Sequence, residues 1–217
     1  MIGVHAIAIG QIEKLDYHPT KEMESALNKG AITEATWLSR TGFTNDEQAF
    51  PGHGGPEKAV CCFSKANYAM WADEVPALPD YAMFGENVTI IDLDENDVAL
   101  GDQFRLGDAI IEVSEIREPC WKIQAKYGVE NLAMRMAKSG KTGFYCRVAQ
   151  EGYVYPDSQL EVVRIAEAKT RLTIQTLNDI FYNDRKNKPR IEAALLNPYL
   201  TEARIEILNG MKKRAQK

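Results

Sequence analysis

The chain has no apolar run approaching the ~20 residues of a membrane-spanning helix, so a membrane role is not expected. It has no basic excess either. Its 26 Lys and Arg stand against 31 Asp and Glu, for a net charge of −5. That balance argues against general nucleic-acid binding, for which domains are usually basic. Cysteine is sparse, with four residues at positions 61, 62, 120 and 146. No two are spaced Cys-x-x-Cys, which disfavours a structural zinc site. Adjacent Cys61 and Cys62 are poor partners for each other, and an even count in a chain this long does not imply disulfides. A reducing, cytoplasmic setting is expected. The apolar Met1 to Gly10 stretch lacks the positive region and cleavage site of a signal peptide. No phosphate-binding Walker loop, dinucleotide Gly-x-Gly-x-x-Gly, Gly-x-Ser-x-Gly elbow or His-Glu-x-x-His is present, so those chemistries lack support.

What is there reads as mostly β to about residue 165 and helical beyond. The pattern predicts strands over Gly3–Gly10, Ala31–Ser39, Lys58–Phe63, Asn87–Ile91, Gln103–Leu106, Ala109–Ile116, Phe144–Ala149 and Leu160–Ile165. Gly101-Asp102 and Gly107-Asp108 punctuate the middle strands. Helices are predicted over Lys65–Glu74, closed by Val75-Pro76 and Pro79, and over Trp121–Tyr127 and Val129–Lys138. Thr41 to Gly55 reads as one long loop, a length that usually marks function or disorder. Short strands with Gly-Asp turns indicate a barrel or sandwich, not a parallel sheet. From Thr170 the period becomes helical: Ile174, Leu177 and Phe181, then Ile191, Ala194 and Leu195, then Ile205 and Leu208. Three short helices are marginal alone and should dock on the β part or on a partner. The expected division is a β domain over 1–165 and a three-helix domain over 166–217, ending in a solvated basic tail.

The densest chemistry lies in Arg117-Glu118-Pro119-Cys120-Trp121-Lys122. Flanking cations stabilise a thiolate, and a thiolate suits a soft metal. The competing reading is a buried packing thiol. Cys61 and Cys62, inside an apolar run, read as packing, and so does Cys146. His53-Gly54-Gly55-Pro56-Glu57-Lys58 is the second candidate. His53 is a ligand, a proton donor or an ordinary loop residue. The Gly pair permits close backbone approach and an anion nest, with Lys58 adding charge. In Phe84-Gly85-Glu86-Asn87, Asn87 either reads a heterocycle edge or serves the turn.

These segments in this order resemble the MOSC domain family, in the branch that carries a C-terminal three-helix extension. The matching stretches are Asp46-Glu47-Gln48-Ala49, residues 53–60, 84–89, 101–123 and 139–148. The run before His53 departs from the branch's usual Gly-Asp-Gly-Gln-Ala-Asp, reading Asn45-Asp46-Glu47-Gln48-Ala49-Phe50, so no role is assigned to Asp46 or Gln48.

The resemblance implies a mainly β fold with α, a β-barrel-like MOSC domain followed by a small three-helix domain. It implies binding of the molybdenum cofactor, a pterin whose dithiolene holds the metal, with Cys120 as the protein's molybdenum ligand. His53, Gly54, Gly55, Lys58, Asn87 and Arg117 become cofactor-binding candidates, and His53 or Lys122 the proton donor. The implied activity is an oxidoreductase acting on small N-hydroxylated compounds, including hydroxylamines and modified bases. No flavin, haem or cluster motif is evident, so a separate electron-donating reductase is the expected partner. The alternatives are a non-catalytic cofactor carrier or sulfur-delivery protein, and a cofactor-free thiol enzyme.

Overall fold

The Gly-Asp turns do cut the chain into short antiparallel strands, and the sheet they build determines where the site lies. A computed structural model describes residues 1–16, 22–75 and 77–215. In chain order the strands begin with β1 (Val4–Ile9), β2 (Glu13–Leu15), β3 (Met23–Ser25), β4 (Gly30–Ala31), β5 (Thr36–Ser39) and β6 (Gly42–Phe43). After β7 (Val60–Ser64) come β8 (Val88–Ile90), β9 (Gln103–Leu106) and β10 (Ala109–Ile116). Helices α1 (Trp121–Tyr127) and α2 (Leu132–Ser139) precede β11 (Phe144–Gln150), β12 (Gly152–Val154) and β13 (Leu160–Arg164). Helices α3 (Ile174–Tyr182), α4 (Lys188–Ala194) and α5 (Glu202–Arg214) finish the chain.

Eight strands form one sheet in the order β13-β9-β10-β11-β7-β8-β1-β4. The sheet curls into a half-barrel, so the class is mainly β with α, as expected. Its open seam is bridged where Ile2 and Leu160 exchange backbone hydrogen bonds of 2.8 and 3.1 Å. Among the described residues β7 with β8 is the one parallel pair, and the sheet is otherwise antiparallel, as the expectation against a parallel sheet requires. The crossover between them holds the 3-10 helix Lys65–Trp71, which replaces the longer helix expected over Lys65–Glu74. Pro76, part of that expectation, lies outside the described residues.

Other boundaries also move. The strand expected over Ala31–Ser39 splits into β4 and β5, and the supposed loop from Thr41 contains β6, paired with β5. Lys58 belongs to a 3-10 turn ahead of β7 rather than to the strand. The β2–β3 hairpin and β12 are additional, each only three residues long and too short for a period to register.

Strand β10 was expected to alternate imperfectly, and the reason is burial on both faces. Val113 and Ile116 enter the main apolar cluster. Ser114 and Glu115, between them, are also buried but hydrogen-bonded. The C-terminal helices carry the caps that such short helices need. Thr173 accepts from the Thr176 N–H at 3.1 Å, Asn187 from Arg190 at 3.2 Å, and Thr201 from Arg204 at 3.3 Å. Their apolar faces, including Leu177, Ile180, Ile191 and Leu208, share one cluster with Leu100, Leu106 and Val113 of the β part. The basic end is less free than expected, because Lys212 pairs with Glu192 at 3.0 Å. Gln216 and Lys217 lie outside the described residues. A second cluster, containing Phe63, Tyr68, Trp71, Phe84, Ile123 and Met136, seats α1 and α2 beside the site.

Candidate functional site

Register decides what the half-barrel presents at its mouth. Cys61 on β7 and Tyr145 on β11 are direct antiparallel partners. A register shift in β10 between Val113 and Glu115 marks a bulge. At it, the Ser114 hydroxyl is 2.6 Å from the Glu57 carbonyl and 3.2 Å from that of Tyr145. Bulges commonly re-aim chain next to functional sites. Here β10 then runs into Arg117, and Cys120 starts α1 with Lys122 in its first turn.

A narrow cleft, partly open to solvent, forms where these segments meet. Arg117, Cys120, Lys122, His53, Lys58 and Asn87 all line it, so segments 67 residues apart in sequence (53 to 120) converge. Cys61 and Tyr145 line it as well, so Cys61, buried as expected, also forms part of the cleft wall. Cys62 and Cys146 do belong to the core. All four cysteines are free, and Cys120 is the one not buried.

Arg117 is 6% exposed. Its Nη2 donates to the Phe84 carbonyl, while Nη1 is buried with no well-formed hydrogen bond. It sits within electrostatic reach of Cys61, Tyr145, Glu86 and Cys120. A guanidinium is charged at any working pH, so a buried donor on it is costly to leave alone. Lys58 reaches the Gly52 carbonyl at 2.7 Å and Lys122 the Glu24 carbonyl at 2.5 Å. Each ammonium has three donors, so one bond does not exhaust it. Among the described residues Arg117, Lys58 and Lys122 form no ion pair, whereas Lys29 is neutralised by Asp46.

Burial first, then Arg117, Lys122 and Lys58, hold His53 below the ordinary imidazole value. It is therefore neutral at pH 7. Its ring meets Phe50 edge-on at 5.1 Å. Burial pushes the Cys61 thiol up to about 12, against the pull of Arg117. Cys61 is thus a protonated neighbour, not a thiolate.

Two expectations about the loop change. The His53 and Gly54 N–H groups are spent inside the 3-10 turn, on the Phe50 and Pro51 carbonyls, so they do not form an anion nest. A Cβ on Gly54 would come 2.7 Å from Gln48 Oε1, the movable end of a flexible side chain, so this position does not demand glycine. Gly55 has φ +94°, and a Cβ there would meet nothing within 4 Å.

Asn87 is fully engaged within the protein. Its Oδ1 accepts from the Cys61 N–H at 3.0 Å, and its Nδ2 donates to the Ala8 carbonyl at 3.1 Å and to Asp46 at 2.8 Å. It braces the cleft wall, and with both Nδ2 donors spent it has no N–H left to offer a heterocycle. Asp46, to which no role was assigned, is the hub. Its side chain is 1% exposed. Besides Lys29 and Asn87 it accepts from the Gly10 N–H at 2.8 Å and from Gln48 at 3.2 Å. Its partners lie far apart in sequence, so no local pattern could have revealed it.

Comparison with known proteins gives the family. The MOSC domain model matches residues 50–161, and the chain belongs to that family. It is 36% identical over 202 residues to the uncharacterized protein YflK of Bacillus subtilis (strain 168), covering 93% of this chain and 90% of that one. Protein YiiM of Escherichia coli (strain K12) is 36% identical over 143 residues, 64% of each chain. A protein named Reductase from Gibberella moniliformis is 34% identical over 137 residues, 61% of this chain and 24% of that one. The crystal structure of YiiM from Geobacillus stearothermophilus superposes with a TM-score of 0.81 at 25% identity, covering 98% of this chain and all of that one.

MOSC domains are known for binding the molybdenum cofactor, and the residues present fit such a group. A buried guanidinium with a donor in no well-formed hydrogen bond suits an anionic pterin phosphate. The half-buried Cys120 offers a soft ligand on the same wall. Gly54 and Gly55, expected to bind the cofactor, are not among the residues that line the cleft. No helix among the described residues is long and apolar enough to cross a membrane.

Proposed function

We propose that this chain holds the molybdenum cofactor in the Arg117–Cys120 cleft and reduces N-hydroxylated compounds. The observation that carries the reading is the buried Arg117, whose Nη1 makes no well-formed hydrogen bond, in the same cleft as the one thiol that is not buried. Similarity to a relative named Reductase supports the redox class.

When bound, the cofactor supplies the two-electron chemistry that removes the oxygen of an N-hydroxyl group, leaving an amine and water. Cys120 is the protein's thiolate to the metal. Arg117 and Lys58 hold the anionic end. His53 and Lys122 remain the two proton-donor candidates; in the cofactor-free cleft burial and the three cations keep His53 neutral, which favours Lys122 there. Neutral His53 accepts or donates a hydrogen bond at the cleft edge. Reducing equivalents come from a separate reductase, and the substrate is a small molecule.

Turnover tests this directly. Cofactor-loaded protein, supplied with a chemical reductant and a hydroxylamine, should yield the amine and lose that activity in Cys120→Ala. Tight cofactor retention with no amine formed would replace the reductase reading with that of a carrier.

A further inference from the structure

Both loops that line the cleft with cations also carry an acid. Glu118 stands between Arg117 and Cys120, and Glu57 directly precedes Lys58. Each acid is held by an arginine that also contacts the C-terminal helical segment. Arg147 pairs with Glu57 at 2.8 Å and donates to the Tyr199 carbonyl at 3.3 Å. Arg204, on α5, pairs with Glu118 at 2.9 Å. Arg204 is 5% exposed and anchored independently of Glu118. Its Nε donates to Glu115 at 2.9 Å, its Nη2 donates to the same carboxylate, and its guanidinium stacks 4.5 Å from the Phe181 ring centroid. Thr201, the cap of α5, donates to the other Glu115 oxygen. The Nη1 group is thereby aimed at Glu118, whose side chain is 56% exposed and which also lines the cleft.

We propose that Arg204 is a positioning residue that keeps the Glu118 carboxylate away from the cleft's anion-holding cations. The proposal rests on the cofactor reading above only for the identity of the anion. A carboxylate released from Arg204 sits next to Arg117 in the chain. It would compete for the Nη1 donor and repel an incoming anion. The helical segment thus contributes to the site through charge placement, without touching the ligand.

Arg204→Lys isolates this effect. A single ammonium still pairs with buried Glu115 but lacks the fork that reaches Glu118 as well. The test is calorimetric titration of cofactor-free protein with inorganic phosphate, backed by molybdenum content of protein from a cofactor-competent host. Arg204→Lys should weaken phosphate binding and molybdenum retention at least fivefold. Adding Glu118→Gln in that background should restore both to within twofold, a rescue that a purely structural role of Arg204 would not give. Absence of phosphate binding by the wild type, unchanged affinity in Arg204→Lys, or failure of Glu118→Gln to rescue would overturn the proposal. Phosphate affinities that follow the expected pattern in a protein devoid of molybdenum would uphold it and sink the molybdenum reading instead.

Discussion

Arg117 donates through Nη2 to the carbonyl of Phe84, and that bond holds the guanidinium in the cleft wall with Nη1 buried and in no well-formed hydrogen bond. Phe84 belongs to the second apolar cluster, so packing beneath the site fixes the arginine above it. Arg117→Lys keeps the charge but loses the fork. A charge-assisted hydrogen bond is worth about 1.5–3 kcal/mol, so cofactor retention should fall roughly 10–100-fold. The thermal midpoint should also fall by a few degrees, since the buried bond to the Phe84 carbonyl is weakened. Equilibrium dialysis of the loaded protein measures the first effect and calorimetry the second. Unchanged retention would mean that Arg117 does not hold the anion.

The Asp46–Lys29 pair has side chains only 1% and 6% exposed, and it organises the opposite wall. Asp46→Asn leaves the Lys29 ammonium buried without a counter-charge. Breaking such a pair costs roughly 3–5 kcal/mol. In a chain of this size that lowers the melting point by about 10 °C. Asp46→Asn with Lys29→Met should recover most of the loss. A loss under about 1 kcal/mol for the single variant would show the pair to be solvated.

His53 gives a pH signature in the cofactor-free protein. Its folded value lies below that of the unfolded chain, so the unfolded state binds the extra proton first. The stability contributed by neutral His53 is present above about pH 6.5 and lost as pH falls through its folded value. His53→Gln should therefore flatten the decline of the melting point between pH 7 and pH 5. Identical slopes in the two proteins would contradict the depressed value. An anionic ligand offsets the three cations, so the difference should shrink with phosphate present.

The parts of this molecule that depend on neighbours in sequence were legible before the structure. Gly-Asp turns announced β9 and β10, and the flanking cations singled out Cys120. Contacts across the fold were not legible. Asn87 reads as a ligand-facing amide until its donors are found on Ala8 and Asp46, 79 and 41 residues away. Cys61 looks like any core thiol because its apolar neighbours hide that Tyr145 turns the same face toward the cleft. Arg204 shows only as a polar position on a helix, since its partner Glu115 lies 89 residues earlier. The Thr41–Gly55 segment looked structureless because its anchors, Gly10, Lys29 and Asn87, all lie outside it.

The two thiols of the cleft separate the central claim from its nearest rival. Molybdenum per chain should be measured by elemental mass spectrometry on wild type, Cys120→Ala and Cys61→Ala, each purified from a cofactor-competent host. Cys61, protonated with a value near 12, should be dispensable for the metal. The expected result is near-stoichiometric molybdenum in wild type and Cys61→Ala, and its loss in Cys120→Ala. Equal molybdenum in all three proteins would remove Cys120 as the ligand, and none in any of them would contradict the cofactor reading itself.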